Sequence, residues 1–175
     1  MATEARDVLE ILDAFADEKI DVWIEGGWGI DALLGHQTRD HGDVDLIIDA
    51  PRSDDARRVL DRLGFSLIFD DAPGRWAFQD GQGREVDLSV AAADRYGDRW
   101  NVNRSTGRGE PDYPAECFTT GWIGGRSVEC LGPAAQVAHH QGYELEDVDR
   151  WDMDQLRARF DVSLPDAFRS DHSPA

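Results

Sequence analysis

A glycine pair between a strand and a helix, followed after a polar loop by two aspartates alternating in a second strand, constrains this chain more than any other feature. Residues 21–25, Asp-Val-Trp-Ile-Glu, read as a short strand that Gly26-Gly27 breaks. Residues 28–34 then read as a helix, with Gly35 as its stop. A polar loop runs from Gly35 to Gly42, and residues 43–49, Asp-Val-Asp-Leu-Ile-Ile-Asp, read as the next strand. In a strand, residues i and i+2 share a face, about 6.5 Å apart. Asp43 and Asp45 therefore project together, while Val44, Leu46 and Ile48 turn to the buried side. Two ionised carboxylates on one face repel each other, an arrangement tolerated when divalent cations sit between them. In so acidic a chain, an Asp-x-Asp pair alone reads as a solvated strand face. The glycine pair shifts that balance: glycines between a strand and a helix let backbone N–H groups approach an anion, and the helix N-terminus adds partial positive charge.

A third acid suits the same place. Asp87 lies in Arg84-Glu85-Val86-Asp87-Leu88-Ser89, between apolar neighbours, where strand propensity disfavours an aspartate. If this strand neighbours residues 43–49, Asp87 faces the same cations or serves as a general base. Otherwise it faces solvent.

The remaining pattern is α+β. Residues 4–19 place Val8, Leu12 and Phe15 on one helical face, with Ile11 beside them. Ser53 is positioned to cap a helix over 54–63 that ends at Gly64. Strands are expected at 65–69, 75–79 and 84–90, the last two joined by the hairpin turn Asp80-Gly81-Gln82-Gly83. Residues 91–120, rich in Asn, Gly, Arg and Pro, read as a long irregular stretch, and a short hairpin is expected around Gly124-Gly125. From Pro133 the pattern is helical, in one segment through Val137 and Gln141 and a second through Val148, Trp151 and Leu156. This order implies a mixed sheet flanked by helices, with residues 1–130 as the principal domain and 131–175 as a helical segment packing on it.

Charge and composition narrow the partners. The 175 residues include 36 acidic and 18 basic ones, for a formal charge of −18. That field repels nucleic acid and attracts cations, from metal ions to amine-bearing molecules, so no nucleic-acid partner is expected. No apolar run approaches membrane-spanning length and the first residues lack an apolar signal core, so a cytoplasmic protein with no membrane partner is expected. Cys117 and Cys130 make neither a disulfide framework nor a metal spacing. His36, His41, His139 and His140 lack the spacing of a zinc site, and neither Gly-x-Ser-x-Gly nor a Walker loop occurs. The acids from Glu144 to Asp152 either hold an amine or cap and solvate a helix. Trp76, Trp100 and Trp122 either line a pocket or fill the core. The sequence leaves monomer and homodimer both open.

Val22-Trp23-Ile24-Glu25-Gly26-Gly27-Trp28-Gly29-Ile30-Asp31-Ala32-Leu33-Leu34-Gly35, followed by Thr38-Arg39-x-His41-x-Asp43-Val44-Asp45-Leu46, closely resembles the antibiotic nucleotidyltransferases of the DNA polymerase β-like superfamily. Both the small lincosamide nucleotidyltransferases and the aminoglycoside 2''-nucleotidyltransferases carry this block. The tail, Ala135-Gln136-Val137-x-x-His140-x-Gly142-Tyr143-Glu144-Leu145 and Asp149-x-x-Asp152-Met153-x-x-Leu156, is more similar to the lincosamide type. The resemblance covers most of the chain, strongly over 22–48 and 134–156 and weakly over 91–130.

The resemblance implies a polymerase β-like fold. It implies transfer of a nucleoside monophosphate from a nucleoside triphosphate (NTP) to a hydroxyl of a lincosamide, with release of pyrophosphate. An aminoglycoside acceptor, or a non-catalytic nucleotide-binding module on the same fold, are the alternatives. Asp43, Asp45 and Asp87 would hold Mg²⁺, as a two-ion site, and Asp87 would also deprotonate or orient the drug hydroxyl. Gly26, Gly27, Thr38, Arg39 and His41 would meet the nucleotide, Arg39 by neutralising phosphate; for His41 a loop-stabilising hydrogen bond is the equal alternative. From residue chemistry rather than from the resemblance, Tyr143, Glu144, Trp76 and Trp100 are the candidate contacts to a cationic antibiotic. Two departures from the wider superfamily stand out. Gly-Gly replaces the commoner Gly-Ser, which removes a hydroxyl ligand for phosphate, and fifteen residues separate Gly27 from Asp43.

Overall fold

In the computed structural model, which describes residues 2–104 and 109–168, the chain runs α1 (Ala5–Asp17), β1 (Val22–Glu25), α2 (Gly26–Leu34), β2 (Asp43–Asp49), α3 (Ser53–Arg62), β3 (Ser66–Asp71), β4 (Arg75–Gln79), β5 (Glu85–Ala93), β6 (Arg99–Asn101), β7 (Phe118–Ile123), β8 (Arg126–Leu131), α4 (Pro133–His139) and α5 (Asp147–Phe160). The strands form one sheet in the order β3-β4-β5-β2-β1-β8-β7, with β6 paired to β5. It is mixed: β1 runs antiparallel to β2, β2 parallel to β5, and β4 antiparallel to β5. Among the described residues no helix is long and apolar enough to cross a membrane.

Strand alternation sorts the side chains of the sheet into two faces. Val44, Leu46 and Ile48 of β2 and Val86, Leu88 and Val90 of β5 turn to one side, where Val8, Ile11, Leu12 and Phe15 of α1 and Ala56, Val59 and Leu60 of α3 cover them. Each such side chain contributes roughly 1.5–3 kcal/mol when fully buried. Helix α1 forms because its apolar residues recur at helical spacing and because Glu4 and Asp7 close a capping box at its start. A second apolar cluster joins Ile30 of α2 to Val137 of α4, Met153 and Leu156 of α5, and Leu164 and Phe168 beyond it. The C-terminal helices are thereby fixed against the helix that the glycine pair opens. The last stretch of the expected 131–175 segment, residues 169–175, lies outside the described residues.

Several sequence expectations are displaced. Helix α2 starts at Gly26 rather than at residue 28, because Glu25 is its extended N-cap and both glycines belong to the first turn. Ser53 is not a cap: Pro51 opens a short 3₁₀ turn over Ala50–Arg52, so the cap position falls on Arg52 and Ser53 is the first residue of α3. The 91–120 stretch is more ordered than its composition suggests. It contains the end of β5, all of β6, a bridge from Arg99 to Tyr113 and the start of β7. Carboxylates supply much of that order: Asp112 accepts from the Asn101 N–H (2.9 Å) and Asp98 from the Ala115 N–H (2.9 Å).

Candidate active site

The strand register draws the acids together. Asp45 on the central strand β2 lies opposite Glu25 of β1 on one side and Asp87 of β5 on the other. Three carboxylates thus form a row across three adjacent strands, and Asp43 lies two residues along from Asp45 on the same face. They border a cleft of about 560 Å³ that Gly26, Arg75, Ser89, His139, His140 and Tyr143 complete. Strands β1, β2, β4 and β5 supply its floor, and α4 with the turn after it supplies its roof.

Burial and crowding of like charge set the electrostatics. Burial, reinforced by Asp43, Glu25 and Asp87, holds the Asp45 carboxyl well above the usual carboxylate range. Burial likewise raises Glu25, partly offset by His139 and by a hydrogen bond from Ser89. Arg75 is the cation facing this row and pairs with Asp87 Oδ2. The other oxygen, Asp87 Oδ1, is buried with no hydrogen-bond partner among the described residues. His139 Nε2 sits 2.9 Å from the Asp112 carbonyl. A carbonyl only accepts, so Nε2 carries the proton and Nδ1 is turned towards Glu25, 3.6 Å away.

A sign follows for stability. The folded pKa of Asp45 lies above its unfolded value, so as pH rises between the two the native state must give up a proton that the unfolded state has already lost. The group therefore destabilises the fold progressively through that window. Asp45→Asn should melt at nearly the same temperature as the parent at pH 4 and increasingly above it towards neutrality. Thermal melts of both proteins across pH 4–8, in chelator, measure the difference; a gap that closes as pH rises contradicts the assignment.

The glycine pair is shaped by what presses on it. Gly26 has φ +63°, a conformation that favours glycine, and a Cβ there would run into Asp45 Oδ2. A Cβ on Gly27 would collide with the His41 ring and come within 2.9 Å of Arg39 Nη2. The first turn of α2 is thus held between the central carboxylate and the side chains of the following loop.

That loop accounts for three of the residues expected at the nucleotide. His41 is buried, its Nε2 lies 2.5 Å from Asp31 Oδ2, and its ring packs on Trp28. Thr38 donates to Asp31 Oδ1 from both its N–H (3.0 Å) and its hydroxyl (2.6 Å). Thr38 and His41 therefore fix the loop through Asp31, while Arg39 reaches the glycine turn.

The drug-contact expectations separate. Tyr143 borders the cleft and donates to Asp149 (3.0 Å). Glu144 is exposed in the turn between α4 and α5 and does not line the cleft. Trp76 sits on the opposite side of the sheet, in the core under α3, with its N–H on Asp70 (2.9 Å) and Arg57 over its ring. Trp100 pairs with Ala92, faces that same side and is also buried. Both tryptophans occupy alternation positions that face away from the acids, so neither reaches the cleft. Of the tail acids, Glu146 and Asp149 close a capping box on α5. Glu25, Arg75, Ser89 and His139 escape the sequence reading, because strand pairing rather than any local motif brings them in.

This mixed sheet flanked by helices is a fold shared with solved nucleotidyltransferases. The lincomycin-bound lincosamide antibiotic adenylyltransferase LnuA superposes with a TM-score of 0.80 at 24% identity, over 90% of this chain and 99% of that one. ANT(2'')-Ia in complex with adenylyl-2''-tobramycin superposes at 0.68 and 20% identity, over 88% and 87%. The aminoglycoside-2''-adenylyltransferase family model matches residues 7–156, and the chain belongs to that family. A lincosamide resistance protein of Staphylococcus haemolyticus is 26% identical over 158 residues, 87% of this chain and 94% of that protein.

Proposed function

We propose that the protein is a cytoplasmic, Mg²⁺-dependent antibiotic nucleotidyltransferase that transfers a nucleoside monophosphate from an NTP to a hydroxyl of a lincosamide. The observation that carries the chemistry is the row Glu25, Asp45, Asp87 beside the glycine turn. An all-oxygen donor set suits a hard divalent cation. The orphaned Asp87 Oδ1 and the raised Asp45 carboxyl both fit a group that is completed by positive charge. Among the described residues no three His, Cys, Asp or Glu side chains are grouped so as to hold an ion by themselves; Mg²⁺ usually takes part of its shell from substrate phosphate and water. Asp43, Asp45 and Asp87 would hold it; when bound it neutralises phosphate charge and stabilises the attacking and leaving oxygens.

The chain's own groups do the rest. The N–H groups at the head of α2 and the Arg39 guanidinium receive the triphosphate. Asp87 orients the acceptor hydroxyl and takes its proton as the oxygen bonds to the α-phosphorus and the bond to pyrophosphate breaks. Cys117 and Cys130 are free thiols, in keeping with a reducing compartment.

The acceptor follows from a second cavity. It measures about 440 Å³, shares His139 with the carboxylate cleft, and is walled by Pro111, Pro114, Pro133, Ala134, Ala135 and Ala138, with Asp112 and Glu116 as its acids. Lincosamides carry one amine on an apolar pyrrolidine and a thiosugar with several hydroxyls, whereas aminoglycosides carry several amines and little apolar surface. Prolines and alanines with two acids suit the first. The Staphylococcus haemolyticus relative points the same way. Ala138 lies on the exposed side of α4, so Ala138→Phe should narrow this cavity without unfolding the chain. The KM for lincomycin should rise about tenfold, a loss of about 1.4 kcal/mol, with the KM for NTP unchanged. Steady-state pyrophosphate release measures both, and an unaltered lincomycin KM would put the acceptor elsewhere.

A further inference from the structure

Asp152 stands apart from the other tail acids, which are exposed or half-buried. Its side chain is only 1% exposed, so it cannot meet a drug amine, and it stands beyond the capping box of α5. Both of its oxygens are engaged by one residue. Arg39 donates from Nε to Oδ1 and Oδ2 (3.2 Å each) and from Nη2 to Oδ2 (2.7 Å). This is the fork-on-carboxylate geometry that fixes a guanidinium in orientation as well as in place. The same Nη2 lies 2.9 Å from the point where Gly27 would carry a Cβ. The edge of the guanidinium that α5 holds thus also lies beside the turn that opens α2, while Nη1 donates to the Asp40 carbonyl (3.1 Å). Met153 and Leu156, the neighbours of Asp152 on α5, pack on Ile30 of α2, so the anchor is rigid with respect to that turn.

We propose that Asp152 is a positioning residue for the nucleotide: from the C-terminal helix it aims the Arg39 guanidinium at the triphosphate that the glycine turn receives. This rests on the nucleotidyltransferase reading of the cleft. The C-terminal helices then belong to the nucleotide site as well as roofing the acceptor side. Arg39 is pre-ordered before nucleotide arrives, so binding does not bear the entropy of freezing a long side chain.

The test is calorimetric titration of MgATP and MgGTP into the full chain as wild type, Asp152→Asn, Arg39→Ala and the double variant. It is accompanied by kcat and KM with saturating lincomycin and by thermal melts. Asp152→Asn should weaken nucleotide binding and raise the NTP KM about tenfold while kcat changes less than about threefold. In the Arg39→Ala background it should weaken binding no further. There it should raise the melting temperature, because Arg39→Ala alone strands a buried carboxylate. Should Asp152→Asn fail to fold, Arg39→Lys, which keeps the charge but not the fork, should show the same loss of nucleotide affinity; unchanged affinity there overturns the proposal. Normal nucleotide binding by Asp152→Asn alongside weak binding by Arg39→Ala overturns the positioning role and leaves the nucleotide site standing. Normal binding by both variants removes Arg39 from the phosphates and the proposal with it. Absence of nucleotide binding by the wild type overturns the nucleotidyltransferase reading itself.

Discussion

Asp45→Asn is expected to lose nucleotidyl transfer by roughly a thousandfold, on the scale of removing a main electrostatic stabiliser from an active site, while the protein folds as well as the parent or better. Asp45 lies at the centre of the row, between Glu25 and Asp87 in register and next to Gly26. The neutral amide keeps the shape and removes the charge that Asp43, Glu25 and Asp87 all oppose. Lost activity with retained or raised stability distinguishes a ligand-binding carboxylate from a structural one, since breaking a structural ion pair lowers both. Pyrophosphate release and a melt at neutral pH measure the two quantities. More than a tenth of parental activity would remove Asp45 from the reaction.

The second large effect is expected at Gly26. Gly26→Ala asks a Cβ-bearing residue to adopt φ +63° and pushes that Cβ onto Asp45 Oδ2. The backbone strain alone costs about 1–3 kcal/mol, and a shift of about 1 Å in a reacting group costs on the order of a hundredfold in rate. Gly35 supplies the control. It too has a left-handed φ, +77°, but no atom lies within 4 Å of its missing Cβ. Gly35→Ala should therefore lose stability and keep its kcat, whereas Gly26→Ala loses both. Equal activities for the two variants would show that contact with Asp45 does not matter to the reaction.

Local pattern carried much of this site. Strands β2 and β4 fall on the expected residues, 43–49 and 75–79, because each carries a short apolar run, Leu46–Ile48 and Trp76–Phe78, bounded by polar residues. The pairing of Asp45 with Asp87 was legible as a condition, namely that their strands be neighbours, and β2 and β5 are. Glu25 was not, although it directly precedes the glycine pair, because nothing local says that β1 lies antiparallel to β2 with Glu25 opposite Asp45. Arg75 and His139 were hidden for the same reason, since their meeting is made by register and by the packing of α4. Trp76 misled because a tryptophan suits a sugar pocket and a core equally well, and its alternation position is meaningful only once the covered face of the sheet is known. Ser53 misled because the chain takes a 3₁₀ turn at Pro51 and shifts the cap by one residue.

Acceptor identity is the point at which the apolar cavity and the carboxylate cleft meet, through the His139 they share. The protein incubated with MgATP or MgGTP and an equimolar mixture of lincomycin and tobramycin, with products read by mass spectrometry, tests it most directly. A nucleoside monophosphate adduct on lincomycin, absent when the cation is chelated, is the expected result. Adducts on tobramycin with lincomycin untouched, or lincomycin modified equally well in chelator, would contradict it.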